Sequence, residues 1–380
     1  MTARLSLDEV RADFPIQKRR AYLNNASIGA LSNTVVAAID EFLADVRDNG
    51  RRHYPDWCAY ADTDVKGRVA SLIGADANEI AFVKNTTEGL VTVANGLDWR
   101  DGDNVLVPDI EYPSNVYCWM RLEKRGVELR WVPSRNGRVR VDDIAERMDG
   151  RTRLVSVSAV QFSNGFRHDL QATAELCRAR GVLFNVDAIQ WLGALPLDLA
   201  RCPIDFLSAG GHKWLLSPIG TGIFYCRREA MNQLDPPNVG YHSVGKSEAH
   251  MDYDLTFRDD AGRFEEALVN FPGIWGLDAS LKTFLGLGME TAAAEIARLV
   301  AIADEGLRQR GYDIISPDGD GETSGILAFR HPQMAPSETA RHLDAAGVDV
   351  AERGGALRIS PSYYNDEDDI ERLLAALSGS

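Results

Sequence analysis

The sequence predicts an α/β protein with a large, mostly parallel sheet, and three observations predict it. Short runs of aliphatic residues at 80–83, 104–107, 127–132, 154–157, 182–186 and 204–207 alternate with stretches of helical pattern. These runs are mostly apolar, as strands covered on both faces are. At 380 residues the chain is also long enough for a large domain and a smaller one, each with its own core.

Taken in order, residues 1–20 are expected to be an N-terminal segment packing with the smaller domain, 21–260 the large domain and 261–380 the smaller C-terminal α/β domain. Ala21-Tyr22-Leu23 reads as a short strand that runs into the small-residue turn Asn24-Asn25-Ala26, with a helix over 32–48. The basic and aromatic cluster Gly50-Arg51-Arg52-His53-Tyr54-Pro55-Asp56-Trp57 reads as a loop. The helix after it spans 60–73 and stops at Gly74. The six runs then supply strands, and 222–226, reached by a short Pro/Gly turn, makes a seventh. Residues 235–260 turn polar and read as a surface crossover. Helices are expected over 276–285, 291–309, 337–346 and 367–377, and strands at 325–329 and 357–359.

Composition removes several classes of function. A formal net charge of −15 opposes nucleic acid and anionic membrane surfaces, both of which need a basic face. No run approaches the roughly 18 apolar residues of a membrane span, and residues 1–11 carry acids and no apolar stretch of a signal peptide. A soluble, cytoplasmic protein is expected. The five cysteines (Cys58, Cys118, Cys177, Cys202, Cys226) have neither CxxC nor metal spacing, which fits reduced thiols and no metal site. There is no GxGxxG and no P-loop, so nothing points to a dinucleotide or ATP.

In open α/β sheets ligands bind beyond the carboxyl ends of the strands, and the residues of interest fall there. Ser208-Ala209-Gly210-Gly211-His212-Lys213-Trp214 places a lysine just after a strand, where lost hydration makes an amine neutral and nucleophilic near pH 7. Asp187 ends the strand before it. A carboxylate and a lysine so placed are the two protein groups that pyridoxal phosphate chemistry requires. Asn85-Thr86-Thr87-Glu88-Gly89 opens a helix, where hydroxyls and free N–H groups suit an anion, although an ordinary cap reads the same way. Tyr112, at a loop tip, has a ring that either covers a flat cofactor or simply packs.

Together Thr86-Thr87-Glu88-Gly89, Asp187-x-x-Gln190, Gly211-His212-Lys213 and Arg263-Phe264-Glu265 resemble the class V aminotransferase family of fold-type-I pyridoxal phosphate enzymes. The likeness is greatest to its branch of cysteine desulfurases and isopenicillin N epimerase-like proteins, and it runs from Ala21 to Ser360. The resemblance implies that Lys213 holds the cofactor covalently, Asp187 pairs with its ring nitrogen, Gln190 bonds its phenolic oxygen and Tyr112 stacks on its ring. Thr86, Thr87 and His212 would hold the phosphate. Arg358 would grip the substrate carboxylate with its planar fork, assisted by Gln161 or Asn164, with Asn25 also at the substrate. It also implies a homodimer, with 51–54 reaching the neighbour's pocket.

Three departures from that pattern matter. The desulfurases' serine two residues before the histidine is Gly210 here. Their Gly-Thr after Arg-Phe-Glu is Ala267-Leu268. Their catalytic cysteine, on a loop before the carboxylate-binding arginine, has no counterpart, since no cysteine lies beyond Cys226. Cysteine desulfuration is therefore disfavoured. β-Elimination from an S-substituted cysteine by a C–S lyase is favoured, with Lys213 as the base. Epimerisation of an amino acid, transamination and oxidative deamination stay open, as does a non-enzymatic binding module. Specificity is expected in loops 51–58 and 238–250.

Overall fold

The computed structural model describes residues 4–246 and 251–377. The helix Leu7–Ala12 begins at Ser6, whose hydroxyl and the Glu9 carboxylate cap each other's backbone N–H groups. β1 (Ala21–Tyr22) follows, then the helix Asn33–Asn49. The next helix starts at Tyr54, not at residue 60: Tyr54–Tyr60 passes through a π-helical turn, Ala61–Val65, into Lys66–Ile73. Pro55 lies in the first turn of this helix, where its missing N–H has no partner to lose, so a residue read as a boundary is a start signal.

β2 (Ile80–Val83), β3 (Asn104–Pro108), β4 (Glu128–Val132), β5 (Thr152–Ser158), β6 (Leu183–Asp187), β7 (Phe206–Gly210) and β8 (Gly222–Cys226) form one sheet in the order β2-β8-β7-β6-β5-β3-β4. β8 runs antiparallel to β2 and β7, and all other neighbours are parallel. The β7–β8 connection is too short for a crossover helix and can only return antiparallel. The inner strands β3, β6, β7 and β8 are buried at every position, which is why they read as largely apolar runs. β4 is an edge strand and exposes Glu128 and Trp131.

Towards the C-terminus, β9 (Asp313–Ile314), β10 (Leu327–Arg330), β12 (Ala351–Arg353) and β13 (Ala356–Ile359) make an antiparallel sheet in the order β12-β13-β10-β9. β11 (Val348–Asp349) pairs in parallel with β1, and the bridge Asn24↔Ser360 extends this contact. Ala21 and Leu23 share an apolar cluster with residues from Leu299 to Leu377. The helix Phe271–Leu287, by contrast, sends Ile274, Leu277, Leu281 and Phe284 into the core of the large sheet. Phe14 stacks on Tyr364 at 4.2 Å and Arg11 pairs with Glu295 at 2.6 Å, so the N-terminal segment touches C-terminal residues.

Candidate active site

β7 delivers the chain into a tight loop that fixes Lys213. Gly211 N–H donates to Thr221 O at 2.8 Å, Ser217 N–H to Gly211 O at 2.9 Å, and Leu216 closes the turn in the left-handed region at φ 48°. From the other side Gly29 N–H donates to His212 O at 2.7 Å. A β-carbon on Gly29 would lie 2.1 Å from Lys213 O, so only glycine permits this approach. Lys213 is half-buried, with no carboxylate at ion-pair distance among the described residues. Burial lowers its pKa to about 8; Asp187 opposes that shift, and Arg358 and Arg353 add to it.

Asp187 ends β6, level with Ser158 on β5 and Ser208 on β7. Its Oδ1 accepts from Ile189 N–H at 3.0 Å, and burial raises its pKa to about 6 against the pull of that bond and of Lys213. Tyr112, in the loop after β3, sets its ring centre 5.8 Å from Lys213 Nζ and meets Phe162 edge-on at 5.1 Å. One side of that ring is open to solvent. The lysine, the acid and the aromatic ring thus gather at the carboxyl ends of β3, β6 and β7.

Asn85 caps the helix Thr86–Gly96 by accepting from Glu88 N–H at 3.0 Å. Thr86 is buried, and its Oγ1 accepts from Gly210 N–H at 2.8 Å, while Thr87 is exposed and bonds Ser114. The His212 ring lies over Gly210: a β-carbon there would come within 3.0 Å of its Cε1 and Nδ1. The imidazole occupies the room that a serine side chain would need, which accounts physically for glycine at that position.

Arg358 is 1 % exposed and has no carboxylate partner among the described residues. Its Nη1 donates to Phe162 O at 2.6 Å and its Nη2 to Ser27 Oγ at 2.9 Å, while Nε is buried without a partner. Burial and the nearby Arg353 lower its pKa to about 10. Gln161 donates from Nε2 to Glu111 at 2.8 Å, and its Oε1 is buried and unpaired. Asn164 instead donates to Gly137 O and accepts from Phe166 N–H, which commits its amide to a turn; of the two alternatives it is the one tied elsewhere. Asn25 joins Ser360 O to Tyr364 Oη, and Gln190 joins Ala26 O to Trp214 Nε1, so each keeps one N–H for a ligand.

Glu111, Ser27 and Arg353 carried no signal of their own in the sequence. Glu111 is buried and also accepts from Asn115 Nδ2 at 3.0 Å and from Ser158 N–H at 2.7 Å; burial raises its pKa to about 7. A lone acid in a loop has no pattern to betray it. Among loops 51–58 and 238–250, residues 247–250 lie outside the described residues. His53 and Trp57 of the first loop both bond Asp45 of the preceding helix.

A buried acid with no cation at ion-pair distance among the described residues, a desolvated amine and a buried arginine with no carboxylate partner fit a ligand that brings a cationic nitrogen, an aldehyde and a carboxylate. Pyridoxal phosphate together with an amino acid has all three. Comparison with known proteins agrees. The aminotransferase class-V family model matches residues 21–373. A probable cysteine desulfurase of Methanothermobacter thermautotrophicus is 31% identical, over 96% of each chain. The apo structure of a cysteine desulfurase from Thermococcus onnurineus NA1 superposes with a TM-score of 0.91 at 26% identity, covering 100% of this chain and 99% of that one. A cystine C–S lyase in complex with cysteine persulfide shares the fold, with a TM-score of 0.88 at 24% identity over 96% of this chain and 99% of that one. The chain therefore belongs to the class-V aminotransferase family and is a fold-type-I, pyridoxal phosphate-dependent enzyme.

Proposed function

We propose that the protein is a C–S lyase that eliminates a thiol from an S-substituted cysteine. One observation carries this reading: no cysteine stands on the hairpin 351–359 around Arg358 to take sulfur from a substrate. Cys177 and Cys202 are buried and Cys118 largely so, and burial raises each to about 12, while Cys226 is pushed higher still. Sulfur must then leave on the substrate's own substituent.

In this reading Arg358 holds the α-carboxylate through the N–H groups that Phe162 O and Ser27 leave free. Asp187 would pair with the cofactor's ring nitrogen, Tyr112 would cover the ring, Gln190 would bond the phenolic oxygen, and Thr86, Thr87 and His212 would hold the phosphate. The bound cofactor supplies an electron sink for the pair released at the substrate α-carbon. Lys213, with its pKa near 8, is partly neutral at pH 7 and accepts the α-proton. The C–H pair becomes a Cα=Cβ bond as the Cβ–S bond breaks, and the thiolate leaves with the sulfur pair and takes up a proton. Hydrolysis of the enamine gives pyruvate and ammonium.

The same proposal includes a homodimer and a cytoplasmic location. Ile219, Leu268, Tyr117 and Tyr241 are exposed apolar residues suited to a partner surface, none of the five cysteines is in a disulfide, and no helix among the described residues is long and apolar enough to cross a membrane. The test is to supply the holoenzyme with a panel of S-substituted L-cysteines and measure thiol and pyruvate together. Equal release of the two is expected. Exchange of the α-hydrogen in deuterium oxide with inversion and no thiol would instead identify an epimerase.

A further inference from the structure

β12 and β13 form a hairpin whose register sets Ala351 opposite Arg358 and Arg353 opposite Ala356. Facing residues, and residues two apart on one strand, share a sheet face. Arg353 and Arg358 are therefore diagonal neighbours on one face, roughly 7–8 Å apart at the backbone. The tip between them, Gly354-Gly355, has φ 58° and 75°, the left-handed pair that a tight two-residue turn requires, and it holds the register. Arg358 is buried at the inner end of this face and Arg353 is exposed at the outer end. Arg353 donates to the carbonyl of its neighbour Glu352 at 2.8 Å, and no carboxylate among the described residues pairs with either arginine. Both are close enough to weaken proton binding at Lys213.

Two guanidinium groups on one face of one hairpin, neither with a carboxylate partner among the described residues, favour anions beside both. Arg358 accounts for the α-carboxylate. A substrate side chain that extends outward from the α-carbon along this face reaches the exposed end of the hairpin, where Arg353 stands. We propose that Arg353 is a specificity residue that binds a second carboxylate, carried on the substrate's S-substituent, so that the preferred substrates are S-(carboxyalkyl)cysteines. The identity of the leaving group rests on the elimination reading; the second anion site does not.

The test compares S-carboxymethyl-L-cysteine with its neutral isostere S-carbamoylmethyl-L-cysteine. The wild-type holoenzyme is expected to favour the acid in kcat/KM by about tenfold, chiefly through KM, as a charge-assisted hydrogen bond gives. Arg353→Gln should bring the ratio to within about twofold of one, while Arg353→Lys keeps a preference for the acid. A general effect on proton abstraction cancels in the ratio. A wild-type ratio near one, or a ratio that Arg353→Gln leaves unchanged, overturns the proposal. Titration of the holoenzyme with L-glutamate and L-glutamine, followed by the cofactor's absorbance, reads the same preference without elimination. A glutamate preference lost in Arg353→Gln, with no thiol released from any conjugate, upholds the anion site and refutes the lyase reading. Equal binding of the two refutes the site.

Discussion

Two lysines in this molecule, Lys66 buried and Lys213 half-buried, have opposite surroundings. Lys66 lies 2.7 Å from Asp62 and 3.0 Å from Glu265, and Glu265 also accepts from Phe82 N–H and faces His242 at 3.4 Å. Burial acts to lower the pKa of Lys66, but Glu265 and Asp62 outweigh it and the net shift is upward. Lys213 has no such partner, and burial brings it down to about 8. The first lysine belongs to a charge cluster completed by the chain itself. The second, with Asp187, Arg358 and Arg353, belongs to a set completed only when a ligand arrives. Closed charge sets serve the fold, and open ones mark a binding cleft.

Removing each lysine is the sharpest way to test that contrast. Lys213→Ala should lower thiol release by about a thousandfold or more, since the α-proton loses its base, as a steady-state assay would show. Lys66→Met leaves Glu265 buried without its cation and should cost about 3–5 kcal/mol in urea unfolding of the apo-protein. If Lys66→Met is tolerated and Lys213→Met destabilises at pH 7, the contrast fails.

The pH dependence follows from the same difference. Folded, Lys213 binds its proton less tightly than its ordinary 10.5, so its stabilising contribution is full above that value and is lost as pH falls through about 8. Asp187 is raised from 3.8 to about 6, so its contribution is present below 3.8 and is lost as pH rises through about 6. The stability of wild-type apo-protein relative to Lys213→Met should accordingly grow by about 3 kcal/mol between pH 8 and 10.5, read from unfolding curves. A smaller change is expected from Gly29→Ala, whose methyl group must push against Lys213 O. About 1–3 kcal/mol of stability should be lost, with a fall in kcat that a conservative change elsewhere in the turn does not cause.

What the sequence made legible follows from how each feature is encoded. The inner strands announce themselves because both faces are covered, and Lys213, Asp187 and Thr86 sit at the ends of such runs or at a helix start. The helix at Tyr54 was obscured because Pro55 reads equally as a boundary and as a first-turn residue. Glu111, Ser27 and Arg353 gain their meaning from partners far along the chain: Ser27 from a hydrogen bond to Arg358, and Arg353 from the pairing of β12 with β13. Local pattern contains no trace of such pairing. Gln161 and Asn164 illustrate the same point, since both follow β5 and only the fold shows which amide is tied to the turn at Gly137.

The pairing of β1 with β11, and of residues 24–27 with Ser360, Tyr364 and Arg358, has a consequence for biosynthesis. These early residues, just before the Gly29 that packs on Lys213, meet their partners only after more than three hundred further residues have been added. The large sheet can form during translation, but the pocket stays unfinished until the ribosome has released the last strands. Nascent chains halted before β13 should therefore be inactive, however well their central sheet has folded.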